Sequence, residues 1–288
     1  MPELPEVEGL ALDLRGRLAG RAITRVDIAT FSALKTFDPP VSALYGSFVD
    51  DVTRHGKFID IHVSGLHLVM HLARGGWVRF RTEVPTLPPK PSNKSPMAAR
   101  VHLDDGSGLD ITEAGTKKRL AIYVVRDPLE VPGVASLGPD PLDPSFSIDV
   151  LGGILQAAGR AQVKGVLRHQ GTIAGIGNAY SDELLHAARM SPFKPASSVT
   201  GDDLQTLHDA IRRVLGDAVE RSRGLGAADL KGEKKSNLAV HGRTGQPCPV
   251  CGDTVREVSF ADSSLQYCPT CQTGGKPLAD RRMSRLLK

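Results

Sequence analysis

The chain begins Met1-Pro2-Glu3-Leu4-Pro5-Glu6-Val7-Glu8 and runs on into an apolar stripe. Leu4, Val7, Leu10, Leu14 and Leu18 recur at helical spacing, and Gly20 is a natural stop, so the pattern predicts a helix over residues 3–20. Pro2 and Pro5 are tolerated in a first turn. A start methionine ahead of a small residue is readily trimmed. Trimming would leave Pro2 as the terminus with a free secondary amine, whose pKa of roughly 7.7–8 leaves a useful unprotonated fraction near neutral pH. Such an amine is a nucleophile toward an aldehyde-level carbon, and Glu3 beside it can act as acid or base. Taken alone, these residues read as an ordinary frayed terminus. The rest of the chain gives them a second meaning.

Outward from the helix, the period changes from 3.6 to 2. Ala22–Ile28, Phe48–Thr53, Phe58–Val63, Leu66–Leu72, Val78–Arg81, Ala99–Leu103, Leu109–Thr112 and Ala121–Val125 all read as strands. Eight short strands in about a hundred residues suggest a sandwich or barrel. Pro85–Pro96 reads as a proline-rich, mobile loop. Residues 127–147 carry Pro128, Pro132, Pro139, Pro141 and Pro144, a composition that suits a linker. Helical patterns follow at Val150–Ala158, Lys164–Gln170, Ala179–Arg189 and Asp202–Ser222, the last capped by Thr200 or Asp202. Residues 224–245 are poor in apolar side chains and read as a loop.

The expected class is therefore α+β. The expected domains are a helix and two-layer β-sandwich over 1–126, a linker over 127–147, a helical domain over 148–240, a finger over 241–272 and a basic tail over 273–288.

All four cysteines fall in one place, as Cys248-Pro-Val-Cys251, sixteen residues, then Cys268-Pro-Thr-Cys271. Two C-x-x-C knuckles at this separation signal one zinc ion held by four thiolates. Two disulfides are the alternative, disfavoured in a reducing compartment. No run of eighteen apolar residues is present and the N-terminus is acidic, so a membrane span or an export signal is not expected. A cytoplasmic, nucleoid-associated, prokaryotic protein is the expected setting.

Residues 221–288 hold 12 Lys+Arg against 6 Asp+Glu, a surplus of +6 in a chain whose net charge is +4. A basic C-terminal part suggests a polyanionic partner, although a solvated surface has the same composition. Further basic points fall at glycine turns: Lys57 in His55-Gly56-Lys57-Phe58, Arg74 before Gly75-Gly76, and Lys118 and Arg119 after Gly115. Each is equally a solvated charge; together they suit phosphate contact. Gly175-Ile176-Gly177-Asn178 joins two helices. Its amides and Asn178 suit a phosphate, and the same residues equally suit a tight turn.

Five pieces in this order resemble the formamidopyrimidine-DNA glycosylase and endonuclease VIII family: Pro2-Glu3-Leu4-Pro5-Glu6-Val7-Glu8, His55-Gly56-Lys57-Phe58, Gly175-Ile176-Gly177-Asn178-Ala179-Tyr180, Gly242-Arg243-Thr244-Gly245-Gln246-Pro247-Cys248, and the four-cysteine finger. The start is more similar to the formamidopyrimidine branch. The resemblance implies a β-sandwich with an N-terminal helix, then a helix–two-turn–helix domain and a zinc finger. It implies a bifunctional glycosylase and abasic-site lyase, acting as a monomer on double-stranded damaged DNA, with zinc and no organic cofactor.

The resemblance also implies roles. Pro2 is the Schiff-base nucleophile, Glu3 the acid that opens the sugar, Glu6 a residue organising the site, and Lys57 a phosphate contact assisting elimination. Asn178 and Gly177, with Lys164, Arg74, Lys118 and Arg119, fall on the DNA side. The family's hole-filling methionine, arginine and phenylalanine align with Arg74, Lys118 and Leu120. Ser263 stands where the family finger carries an arginine, the loop after the last long helix is short, and the basic tail extends the usual ending. A DNA-damage or abasic-site binding protein with weak or no turnover stays open as the alternative.

Overall fold

The computed structural model describes residues 1–90, 95–260 and 263–279. Two compact units emerge. The first takes residues 1–137 and 219–233; the second takes 138–218 and the chain from 234 onward.

The first unit starts with α1 (Leu4–Leu18), followed by β1 (Ala22–Ile28), β2 (Ser47–His55), β3 (Phe58–Val63), β4 (Leu66–His71), β5 (Gly76–Arg81), β6 (Met97–Leu103), β7 (Gly108–Glu113) and β8 (Ala121–Val125). All eight expected strands are present. They hydrogen-bond in the order β5-β7-β6-β1-β2-β3-β4-β8. The β1–β2 link holds only through Ala22↔Phe48 and Ile23↔Ser47, which leaves two layers, β5-β7-β6-β1 and β2-β3-β4-β8.

Alternation explains the layering. Ile59, Ile61 and Val63 of β3 point to a core shared with Val7, Leu10, Leu14 and Leu18 of α1, all at most 1% exposed. Each such side chain contributes about 1.5–3 kcal/mol on burial. The opposite β3 face carries Phe58, Asp60 and His62.

The stretch expected as a linker is structured. Pro128–Glu130 is a 3₁₀ turn and Pro132–Ala135 is a short helix, α2. Val131 and Val134 are buried against Val69 and Val125, so this segment covers the outer face of the sheet. The boundary between the units falls at 137/138, inside the expected linker.

The second unit contains α3 (Ile148–Ala157), α4 (Val163–Arg168), α5 (Asn178–Ala187) and most of α6 (Gly201–Ser222). Residues 224–245, expected as a loop, contain α7 (Leu230–Asn237). Leu230 is fully buried in the first unit's core, where Gly9 of α1 meets it: a Cβ there would lie 2.9 Å from both Leu230 Cδ2 and Ser222 Cβ. The finger consists of β9 (Arg256–Ser259), paired with β10 (Ser264–Tyr267), and α8 (Pro269–Thr273). No helix of the described residues is long and apolar enough to cross a membrane. The middle of the Pro85–Pro96 loop, Asp262, and the tail from Asp280 on lie outside the described residues.

Candidate active site

In the first unit, Pro2 is buried while Met1 is half exposed. Glu3 is the N-cap of α1. It forms a reciprocal capping box with Glu6: the Glu3 carboxylate accepts from the Glu6 backbone N–H, and the Glu3 N–H donates to Glu6 Oε2 at 2.8 Å. Both carboxylates are almost fully buried, 3% and 2% exposed. The helix terminus favours negative charge there. The terminus is therefore fixed on a rigid element and is not frayed.

Lys57 sits in the two-residue loop between β2 and β3. Gly56, at φ 55°, takes the first position, as a type II′ hairpin requires. The Lys57 side chain is buried at 6% exposure. Its charge reaches His71 on β4, where burial first and Lys57 second push the imidazole pKa down to about 4. His71 is thus neutral at physiological pH, and its ring lies 4.7 Å from that of Phe58.

Arg74 projects from a turn closed by Gly76 N–H donating to the Leu72 carbonyl at 2.8 Å. A Cβ on Gly76 would lie 2.0 Å from that carbonyl oxygen, which explains the glycine. Ala114 N–H donates to the Gly75 carbonyl at 3.0 Å, so the Arg74 turn and the loop bearing Lys118 and Arg119 run side by side. Buried Glu113 organises that loop by accepting from Arg119 N–H at 2.8 Å and Leu120 N–H at 3.0 Å. One expectation changes here, that of Leu120 as a hole-filling residue. The Lys118 ammonium donates to the Glu113 carbonyl, and Leu120 is a core residue at 2% exposure. Arg74 and Arg119 remain exposed.

In the second unit, the glycine turn before α5 is stapled by Gln170. Its amide donates to the Ile176 carbonyl at 2.7 Å and its Oε1 accepts from Gly175 N–H at 3.0 Å. Gly175 has φ +83°, a left-handed conformation. Gly177 is the N-cap of α5 and Asn178 its first residue. Asn178 Nδ2 donates to the Ser264 carbonyl of β10 at 2.7 Å, and its buried Oδ1 has no hydrogen-bond partner among the described residues.

Lys164 corrects another expectation. It is 4% exposed, and its ammonium reaches Asp182 Oδ1 at 2.5 Å, Ser181 Oγ at 2.7 Å and the Asn178 carbonyl at 3.2 Å. It pins α4 to the first turn of α5 and presents no cation to solvent.

Asp182 and Glu183 were not singled out in the sequence, yet they seat the finger. Glu183 accepts from the backbone N–H groups of Ala239, Val240 and His241 at 2.7, 3.0 and 2.8 Å. Burial raises its pKa against the pull of those three donors. Asp182 Oδ2 meets His241 Nδ1 at 2.7 Å and accepts from Gln266 N–H at 3.2 Å. Adjacent carboxylates just after the two-turn motif are the only signal the sequence offered.

The four cysteines converge, with all Sγ atoms within 4.8 Å of one another and none in a disulfide. Cys248 and Cys271 are 3.9 Å apart, and Cys251 and Cys268 are 3.4 Å apart. Thiolates on one tetrahedral zinc ion at ~2.3 Å are separated by roughly 3.8 Å, so the donor set fits one zinc. His186 Nε2, 3.2 Å from Cys248 Sγ, supplies an outer hydrogen bond. Ser263 lies in the loop between β9 and β10, where its carbonyl accepts from Phe260 N–H at 2.8 Å; it brings no charge.

Three family models match along the chain. They are the formamidopyrimidine-DNA glycosylase N-terminal domain over residues 1–118, its H2TH domain over 137–228, and the zinc finger found in FPG and IleRS over 245–274. A formamidopyrimidine-DNA glycosylase of Symbiobacterium thermophilum is 37% identical over 98% of this chain and 93% of its own length. An uncharacterized formamidopyrimidine-DNA glycosylase-like protein of Mycobacterium tuberculosis is 64% identical, covering 54% of this chain and 98% of that protein. The crystal structure of the MutM (Fpg) protein from Thermus thermophilus superposes with a TM-score of 0.80 at 31% identity, covering 96% of this chain and 100% of that one. With its N-terminal helix on a sandwich, its helical two-turn domain and its four-cysteine finger, the chain belongs to the formamidopyrimidine-DNA glycosylase family.

Proposed function

We propose that the chain is a bifunctional base-excision DNA glycosylase and abasic-site lyase that works from Pro2. With Met1 attached, the Pro2 nitrogen is an amide and has no lone pair to give, so activity begins with its removal. The freed amine attacks C1′ of a damaged nucleotide extruded from the duplex, and the bond from C1′ to the base breaks. Glu3 protonates the ring oxygen as the sugar opens, leaving an iminium between Pro2 and C1′. Loss of a C2′ proton then expels the 3′ phosphate. Lys57 contacts the phosphate beside the lesion and assists this elimination. Asn178, at the N-terminus of α5, holds a neighbouring phosphate, and Arg74 and Arg119 add contacts. Arg74 would hydrogen-bond an orphaned base where methionine only wedges, which supports an atypical lesion choice. The protein acts as a monomer on nucleoid DNA in the cytoplasm.

The observation that carries this reading is the buried, reciprocally capped Glu3–Glu6 terminus with Pro2 beside it. In the test, Pro2→Gly and Glu3→Gln each abolish base release while duplex binding survives. Unchanged release from both would refute it.

A second reading, a DNA-damage binding protein with little turnover, is favoured by Ser263 in the finger loop. A neutral hydroxyl does not replace two charge-assisted phosphate bonds. Multiple turnovers on any lesion would remove this reading.

A further inference from the structure

The geometry points to a second metal site, made by Asp60, His62 and His67 on the outer face of β3 and β4, which takes a divalent first-row transition ion such as zinc or cobalt. Neither the glycosylase chemistry nor the four-cysteine finger uses these residues.

Strand register builds the site. Alternation sends Ile59, Ile61 and Val63 into the core, so Asp60 and His62 share the opposite face. On that face the antiparallel pairing sets His62 opposite His67 and Thr53 opposite Asp60. The Asp60 side chain is fully buried, yet its partners among the described residues are three imidazoles and no lysine or arginine. His55 Nε2 is 3.0 Å from Oδ2, His62 Nε2 is 3.2 Å from Oδ2, and His67 Nδ1 is 3.0 Å from Oδ1.

A buried carboxylate needs a compensating charge. One divalent ion set between the carboxylate and the imidazole nitrogens supplies that charge. One ligand atom from each of Asp60, His62 and His67 can be chosen so that all lie within 4.8 Å of one another. Donors sharing an ion at about 2.0–2.2 Å stand roughly 3.0–3.5 Å apart, the spacing that Asp60 keeps to both histidines. His55 then takes the outer position, donating to the carboxylate and fixing its direction.

Solvent reaches the site, since His62 is 31% and His67 18% exposed. Two imidazoles and one carboxylate suit zinc, cobalt or nickel, with water completing the shell. Without thiolates, the site binds more weakly than the finger. An ion there would tie β3 to β4 across the His62–His67 pair.

The test uses full-length protein with its finger already loaded with zinc. Cobalt chloride is titrated in, followed by calorimetry and by the visible spectrum, with zinc chloride in a parallel titration. The expected result is one further equivalent, a cobalt spectrum without thiolate charge-transfer bands, and a melting temperature that rises with added zinc. The double variant His62→Ala/His67→Ala should bind at least tenfold more weakly and show no such rise. Should that variant fail to fold, His67→Gln keeps an N–H donor for Asp60 and should show the same loss. No further equivalent in the wild-type protein, which would mean a hydrogen-bonded histidine cluster only, overturns the proposal. So does undiminished uptake by the variants.

Discussion

Glu3 and Glu6 hold each other: the backbone N–H of Glu3 donates to Glu6 Oε2 at 2.8 Å, while the Glu3 carboxylate accepts from the Glu6 backbone. The residue assigned the acid's role is thus positioned by the helix it caps. Glu6→Ala should cost about 1 kcal/mol of stability through the lost cap. It should also slow base release by an order of magnitude or more, because Glu3 and Pro2 lose their fixed position. Glu6→Gln keeps an acceptor and should retain most stability. Denaturant unfolding and single-turnover base release separate the two effects. Wild-type rates in Glu6→Ala would show that the cap is structural only.

His71 yields a pH dependence. Its folded pKa of about 4 lies below the ordinary 6.5, so the unfolded chain binds more protons between those values. Stability should therefore be complete above about pH 6.5 and fall as pH drops toward 4, with this group contributing on the order of 2–3 kcal/mol. His71→Phe should flatten that slope. Chemical denaturation at pH 5 and pH 7 checks it, and NMR titration should find His71 unprotonated at pH 5.5.

Lys164 separates a structural lysine from a phosphate contact. Its ion pair with Asp182 is buried, so Lys164→Met should destabilise by about 3–5 kcal/mol by removing the lysine cation beside a buried carboxylate. The salt dependence of DNA binding by the folded variant should keep its slope. A phosphate contact would instead lower the slope by about one unit. Binding isotherms across a salt series decide between them.

Much of this fold was legible in the chain. The α1 stripe and the period-2 segments are strong signals, because each buries one face against a single core. What was not legible depends on partners distant in sequence. Lys164 reads as a surface cation until Asp182 is brought to it by α5. α7 was missed because Leu230 alone anchors a run of glycine and charge. The prolines of 127–137 masked Val131 and Val134, which are buried. At the site, motif residues could be assigned roles by resemblance, but the seating of the finger by Asp182 and Glu183 needed the structure.

Ser263 bears on how far the reaction goes. Ser263→Arg restores a cation to the finger loop, and one charge-assisted phosphate bond is worth about 1.5–3 kcal/mol. Strand incision at an abasic site should rise by roughly tenfold or more. Base release should change far less. Gel separation of β- and δ-elimination products would show it; no change in incision would mean that the loop does not reach the phosphates.

The most direct test of the central claim is borohydride trapping, on protein whose mass shows that Met1 is removed. The duplexes should carry an abasic site, 8-oxoguanine, formamidopyrimidine or an oxidised pyrimidine. A Schiff base from Pro2 predicts a covalent protein–DNA adduct, mapped to the N-terminal peptide and absent from Pro2→Gly. An adduct that persists in Pro2→Gly, or none on any of these duplexes, would contradict the account.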